Sequence, residues 1–298
     1  MHLYSTNLGI ARARDDGRLD LLDLAAPDLG ALLQTDPQLT SARTAASQAT
    51  YALEDLTLQA PVPRPGAIYC IGANYQSHVE EIASLSGTLD PATLERTLAK
   101  IRHAPMFFSV PTSAASGPYD AIELPAMAPE QVDYEIELAV VIGAGGRNIS
   151  PERALDCVAG VTLANDVSAR DIQAEAMTGH DLEFGHAKGL DGFKPCGPAL
   201  VTLDAFEDIG EIRLEARVNG EVRQSAMLRE LIHDIPSCVA QISRYHTLRP
   251  GDIVLTGSPA GVGYFRGVFL RPGDVIEMQA SGIGTLRNTV TTPQEVNA

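Results

Sequence analysis

Cysteine is scarce and scattered: Cys70, Cys157, Cys196 and Cys238 are the only ones in 298 residues, with no CxxC pair and no histidine at zinc-finger spacing. That excludes a disulfide framework and a Cys/His structural zinc site. Basic side chains are outnumbered, with 22 Lys+Arg against 38 Asp+Glu and a net charge of −16. So acidic a surface repels phosphate backbones and anionic headgroups, so neither nucleic acid nor a membrane is an expected partner. Long apolar runs are missing too: stretches such as LAVVIGA fall far below the roughly 20 residues of a membrane span. The opening MHLYSTNLGIARARDDGRLD has no apolar core of a secretory signal. A reducing, cytoplasmic compartment is the expectation. What is present is a 45% apolar composition, enough for a sizeable core.

Residues 1–64 read as a small N-terminal domain, with a hairpin turned by Asp15-Asp16-Gly17, a helical stretch and a polar run. The Pro-dense PVPRPG at 61–66 marks its end, and residues 65–298 form the second domain. From Ala67 the chain becomes a series of short β-rich runs: AIYCIG, EIELAVVIGA, GVTLAND, PALVTL, IRLEARVNGEV, DIVLTG and DVIEMQ. Asn219-Gly220 is a two-residue hairpin signal. Helices are fewer. SPERALDCV has Ser150 as N-cap and Pro151 at the first helical position, and LRELIHDIPSCVAQISRY reads as two pieces split by Pro236. No βαβ rhythm runs through the chain, which predicts an α+β, mainly β fold.

The stretch Val132-Asp133-Tyr134-Glu135-Ile136-Glu137-Leu138-Ala139-Val140-Val141-Ile142 carries the most chemistry. As a strand it places Glu135 and Glu137 on one face, then turns apolar on both faces, as a buried strand does. Two carboxylates beside a core repel each other and lose hydration, at a cost of roughly several kcal/mol per ion unless neutralised. A divalent cation held by both removes that cost; a half-exposed strand with a solvated acidic face avoids it altogether. Asp166 follows the apolar run Gly160 to Asn165 and is placed to reach a site on a neighbouring strand. Three carboxylates without His or Cys form an oxygen-only set, suited to Mg²⁺ or Mn²⁺ and unsuited to zinc. Separately, His78 and Glu81 share a face if the segment after Asn74 is helical. They are then either a general-base pair or an incidental surface pair.

Taken together, GxNYxxHxxE from Gly72, DYEIELAVVIG, NDVSARDIQ, AKGLDGFKPCGPALVT, VNG, and LRPGDIVLTGSPAGVG with GIGTLRN resemble, in this order, the fumarylacetoacetate hydrolase family over residues 65–290. The resemblance implies a mixed β-sandwich roll, a homodimer, and Mg²⁺ or Mn²⁺ held by Glu135, Glu137 and Asp166. It implies a lid carrying His78 and Glu81 as a water-activating dyad, and Lys188 as the cation that stabilises charge on the reacting oxygen. By the same match Arg170 and Gln173 contact substrate and Thr256 lines the pocket. Lys194 has no place in the motif and reads as a surface cation; His180 and His186 read as polar loop residues. The glycines of TGSPAGVG and GIGTLRN lack the Lys-Ser/Thr ending of a phosphate loop and read as tight turns near a ligand.

Two features depart from the family pattern. In Pro105-Met106-Phe107-Phe108-Ser109-Val110, Val110 stands where many members carry a lysine, which disfavours a small dicarboxylate such as oxaloacetate and favours a more apolar acyl part. The segment from Ile82 to His103 is long and helix-prone, with Asp90 as N-cap, Pro91 at the first position and leucines at 94 and 98, and can reshape the lid. The resulting expectation is a metal-dependent hydrolase that cleaves a C–C bond in a β-diketone or acylpyruvate, such as a ring-fission product of aromatic catabolism, through a metal-held enolate. The alternative keeps the site and changes the outcome to decarboxylation, tautomerisation or isomerisation, or hydration of a 2-oxo acid. A metal-stabilised binding protein without catalysis is the third reading.

Overall fold

The doubly apolar run after Glu135 is where the architecture is set. In the computed structural model, which describes residues 1–84, 90–177 and 184–292, Ile136–Ile142 is a strand buried along its whole length. Its residues divide by alternation. Ile136, Leu138, Val140 and Ile142 enter one core, and Ala139 and Val141 enter another on the opposite face.

The strands are β1 (His2–Thr6), β2 (Gly9–Ala13), β3 (Leu19–Leu22), β4 (Ser47–Tyr51), β5 (Ile68–Gly72), β6 (Met106–Val110), β7 (Ala115–Ser116), β8 (Ile122–Glu123), β9 (Val132–Asp133), β10 (Ile136–Ile142), β11 (Val158–Asn165), β12 (Ser168–Ala169), β13 (Lys194–Val201), β14 (Arg213–Val218), β15 (Glu221–Met227), β16 (Ile253–Leu255), β17 (Val275–Ala280) and β18 (Gly284–Thr291). An 11-stranded sheet runs in the order β4-β3-β2-β1-β13-β11-β10-β16-β5-β6, with β7 paired to β13. Five strands, in the order β15-β14-β17-β18-β8, form a second sheet. Leu214, Ala216, Ile276, Met278 and Leu286 of that sheet share a core with Leu138, Val140 and Leu163 of the first, which makes a mixed, sheet-on-sheet α+β fold. The predicted hairpin at Asn219-Gly220 joins β14 to β15, both turn residues having the positive φ that such a turn demands. The predicted Asp15-Asp16-Gly17 turn joins β2 to β3. The N-terminal strands do not form a sheet of their own, because β1 pairs with β13 of the large sheet.

The helices are α1 (Leu29–Leu33), α2 (Thr40–Thr44), α3 (Gln76–Ser84), α4 (Pro91–His103), α5 (Pro151–Ala154), α6 (Arg170–Met177), α7 (Ile235–Tyr245) and α8 (Gly263–Arg266). As expected, α4 starts at Asp90, whose side chain accepts from the Thr93 N–H, with Pro91 next. The SPERALDCV helix is a single turn, α5, followed by a 3₁₀ turn. The break before α7 lies at Asp234, which caps the helix by accepting from the Ser237 N–H, and Pro236 sits inside the first turn where a missing N–H costs nothing. Among the described residues no helix is long and apolar enough to cross a membrane.

Candidate active site

The strand expected over Val132–Ile142 is interrupted at Tyr134 and Glu135. Side-chain amides take over from ladder partners there: the Glu135 N–H donates to Asn165 Oδ1 (3.1 Å) and the Ile136 N–H to Gln224 Oε1 (3.0 Å). β10 and β11 run antiparallel with Ile136 opposite Asn165, so Glu135 faces Asp166, whose N–H donates to the Glu135 carbonyl at 2.8 Å. The register alone therefore brings the third carboxylate to the first. Among the described residues Glu135, Glu137 and Asp166 offer ligand oxygens that all lie within 4.8 Å of one another, and all three residues are buried. The solvated-face alternative is thereby excluded.

Cations close around this group. Lys188 Nζ lies 2.6 Å from Asp166 Oδ2 and 3.1 Å from Glu135 Oε1. Arg170, at the start of α6, reaches Glu135 Oε1 at 2.6 Å and Asp133 Oδ2 at 2.7 Å, and its Nη1 donates to Gln173 Oε1 at 2.9 Å. It is turned toward the site and away from a simple pairing with Asp171. Burial raises the Glu135 carboxyl, but the charges of Lys188 and Arg170 outweigh it and hold the group below the ordinary range. The same carboxylates, Asp166 and Glu135, overcome burial at Lys188 and raise its ammonium above the usual lysine value, so it stays protonated.

Glu137 is different. Its Oε2 accepts a 2.6 Å hydrogen bond from the Gly257 N–H. Burial, then the charges of Asp166 and Glu135, push it well above the ordinary carboxylate range. Gly257 makes that bond at φ +98°, with the Asn74 side chain 2.7 Å from where a Cβ would stand, so any other residue would be strained there. Gly261, at φ +107°, donates in the same way to Glu81 Oε1 (2.9 Å). These are the tight turns anticipated in TGSPAGVG.

The oxygen-only donor set fits Mg²⁺ or Mn²⁺. So does Asp166 Oδ1, a buried carboxylate oxygen that accepts no hydrogen bond and has the Lys194 ammonium 2.8 Å away as an ion-pair partner. Glu137 then supplies a pH signature. Its folded pKa lies above the unfolded value of 4.5, so above that pH the metal-free fold holds a proton the unfolded chain has released, and this group's contribution to stability declines as pH rises. A dication at the site displaces that proton. Calorimetry in two buffers of different ionisation enthalpy is expected to show proton release on Mn²⁺ binding and an affinity that tightens with pH. A pH-flat, buffer-independent affinity would contradict it.

On the far side, α3 carries His78 and Glu81 as its spacing predicts. His78 Nδ1 lies 3.0 Å from Glu81 Oε2. A carboxylate only accepts, so Nδ1 carries the proton and Nε2 is the basic nitrogen. The ring is largely buried and packs edge-on against Phe265 of α8, centroids 5.8 Å apart. Asn74 anchors the start of α3: its Nδ2 donates to the carbonyls of Thr256 (2.8 Å) and His233 (2.9 Å), and its Oδ1 accepts from the His233 N–H (2.8 Å). The His233 ring bonds the Ile101 carbonyl near the end of α4 at 2.7 Å, tying that helix to the same loop.

Thr256 is fully buried, and its hydroxyl donates to the Leu138 carbonyl (3.0 Å), tying the loop after β16 to β10. Val110 is buried in the apolar cluster with Ile68 and Cys70. His186 lines a cavity of about 520 Å³ with Asp171 and Glu175; His180 lies outside the described residues.

Two site residues were missed. Asp133 is fully buried, takes Arg170, and accepts from the N–H groups of Gly263 (2.7 Å) and Tyr264 (3.0 Å). The alternation D-x-E-x-E, which puts positions 133, 135 and 137 on one face, was a signal for it. Lys194, read as a surface cation, is fully buried with Nζ 2.8 Å from Asp166 Oδ1. Its position inside the otherwise apolar strand Lys194–Val201 was the available sign.

A mixed sheet-on-sheet fold with a buried three-carboxylate centre defines the class: the profile "Fumarylacetoacetate (FAA) hydrolase C-terminal" matches residues 67–291, and the chain belongs to the fumarylacetoacetate hydrolase family. Within it, the human mitochondrial protein oxaloacetate tautomerase FAHD2A is 36% identical over 97% of this chain and 88% of its own length. Among solved structures, 2-hydroxyhepta-2,4-diene-1,7-dioate isomerase from Mycobacterium marinum is 31% identical with a TM-score of 0.74, covering 99% of this chain and 100% of that one. Maleylpyruvate hydrolase from Sphingobium sp. SYK-6, in complex with manganese(II) and pyruvate, is 27% identical with a TM-score of 0.76 at the same coverage. The chain is therefore similar to tautomerases and isomerases as well as to a hydrolase, and the reading as a C–C hydrolase is not the one its relatives favour.

Proposed function

We propose that this protein is a divalent-metal-dependent tautomerase that interconverts the keto and enol forms of a 2-oxo acid, with oxaloacetate as the reference substrate. The observation that carries the reading is near-full-length similarity to an oxaloacetate tautomerase, on a site that joins three clustered carboxylates to a Glu-held imidazole. Val110 does not weigh against oxaloacetate, because its side chain belongs to the apolar core while Arg170 and Lys188 supply cations at the site.

Glu135, Glu137 and Asp166 would hold Mg²⁺ or Mn²⁺, which supplies Lewis acidity to the substrate's oxygens. The chain's own groups do the rest. His78 Nε2 takes a proton from the carbon next to the ketone, the C–H electron pair forms the C=C bond, and the carbonyl π pair moves to oxygen. The imidazolium returns its proton to that oxygen, so the step is a net isomerisation with no co-reactant. Glu81 keeps Nδ1 protonated, and Lys188, held as an ammonium, stabilises the oxygen's charge without giving up its proton. Arg170 orients Glu135, and Gln173 orients Arg170 in turn. The N-terminal unit of residues 1–64, a homodimer and a cytoplasmic location complete the proposal.

The test follows decay of the enol absorbance of oxaloacetate with Mn²⁺ and with chelator, beside cleavage of acylpyruvates. Metal-dependent acceleration of the first without the second is the expected result. Acylpyruvate cleavage with no effect on oxaloacetate would restore the hydrolase reading, which the maleylpyruvate hydrolase likeness keeps as the second one.

A further inference from the structure

Lysine is almost never fully buried unless paired, yet Lys194, the first residue of β13, has no exposed surface. An ammonium has three N–H donors and no acceptor. Around this one stand the carbonyls of Phe193 (3.0 Å), Val167 (3.3 Å) and Lys188 (in close contact), together with Asp166 Oδ1 at 2.8 Å. These acceptors come from two segments distant in sequence: the end of β11, which carries Asp166, and the loop that carries Lys188. The Asp166 carboxylate is thus set between two lysines, Lys188 on Oδ2 and Lys194 near Oδ1. Their tasks differ. Lys188 reaches on to Glu135 and faces the site; Lys194 lies behind it, and every hydrogen bond it donates goes to backbone. The contact with Asp166 Oδ1 is an ion pair at 2.8 Å without hydrogen-bond geometry.

We propose that Lys194 is a positioning residue: by binding the backbone carbonyls on both sides of the site it fixes the Asp166 carboxylate and the Lys188 ammonium relative to each other, acting through them and never on the substrate. The inference rests on the metal-site reading above, and metal affinity measured without turnover tests it separately.

Two effects of removing Lys194 oppose each other. Taking a cation away from a cluster of carboxylates strengthens its attraction for a dication, whereas loosening Asp166 weakens coordination. A residue that only balances charge therefore predicts tighter Mn²⁺ binding in Lys194→Met, and a positioning residue predicts weaker binding. We expect calorimetric titration with Mn²⁺ to give an affinity weakened at least tenfold in Lys194→Met, with kcat on oxaloacetate lowered at least a hundredfold and KM changed far less. Affinity that is unchanged or tighter, with kcat within threefold of wild type, overturns the proposal. If Lys194→Met does not fold, Lys194→Gln, which keeps two N–H donors without the charge, takes its place. Weakened Mn²⁺ binding there supports the role, and wild-type affinity and kcat overturn it. Failure of the wild-type protein itself to bind Mn²⁺ overturns the metal reading, and this inference with it.

Discussion

Replacing Glu137 with glutamine is expected to lower kcat/KM on oxaloacetate by about 10³-fold, about 4 kcal/mol of transition-state stabilisation, and to raise the thermal stability of the metal-free protein. Both effects come from one charge. Glu137 lies among Glu135 and Asp166 and, among the described residues, has no cation within ion-pair distance; its carboxylate accepts a hydrogen bond from the Gly257 N–H. Glutamine keeps an oxygen for that N–H and is neutral without the proton that burial and the neighbouring carboxylates make Glu137 take up on folding. The fold therefore gains, by roughly 2 °C or more in Tm per kcal/mol relieved, while the centre loses an anionic ligand. Scanning calorimetry in chelator and Mn²⁺ titration measure the two sides. A variant that turns over and binds Mn²⁺ like wild type would remove Glu137 from the centre.

His78→Ala is expected to lower the rate of keto–enol interconversion by roughly 10²–10⁴-fold, the usual worth of a positioned acid–base group, with Mn²⁺ affinity within a few-fold of wild type. The imidazole is not in the carboxylate group, so its loss leaves the centre standing. Glu81→Gln is expected to have a smaller effect, because the side chain can still accept from the Gly261 N–H while it no longer enforces a proton on Nδ1. Enol decay at fixed Mn²⁺, followed against pH, separates the variants. Full activity in His78→Ala would place the base elsewhere.

Much of this site is legible in the sequence. The E-x-E pair, the aspartate after a buried strand and the His-x-x-Glu spacing are local patterns, and local geometry carries them. Asp90 with Pro91 fixed the start of α4 for the same reason: capping is decided within one turn. What local pattern missed was settled at a distance. The interruption at Glu135 depends on the side chains of Asn165, 30 positions from Glu135, and Gln224, 88 positions from Ile136. The apolar surroundings of Val110 depend on Ile68 and Cys70 of the neighbouring strand β5, about 40 positions earlier in the chain, which no pattern around Val110 reports. The apolar run that follows Lys194 hints at its burial, but the Val167 carbonyl that binds its ammonium is 27 positions away and no local pattern reports it.

The sequence by itself determined the chemistry on offer: an acidic chain with oxygen ligands and no thiolate or histidine set for zinc, a histidine one helical turn from a glutamate, and alternating runs that must pack as sheets. Only the tertiary structure decided how those groups are charged and held. Pairing of β10 with β11 puts Asp166 beside Glu135, burial takes water away from all of them, and in that low-dielectric setting the nearest cation governs each carboxylate. Lys188 and Arg170 pair with Glu135 and keep it ionised, whereas at Glu137 burial and the charges of Asp166 and Glu135 outweigh Lys188 and push it toward its proton. Residue type sets which charges exist; distance and solvent exclusion, which no linear pattern encodes, set what those charges do.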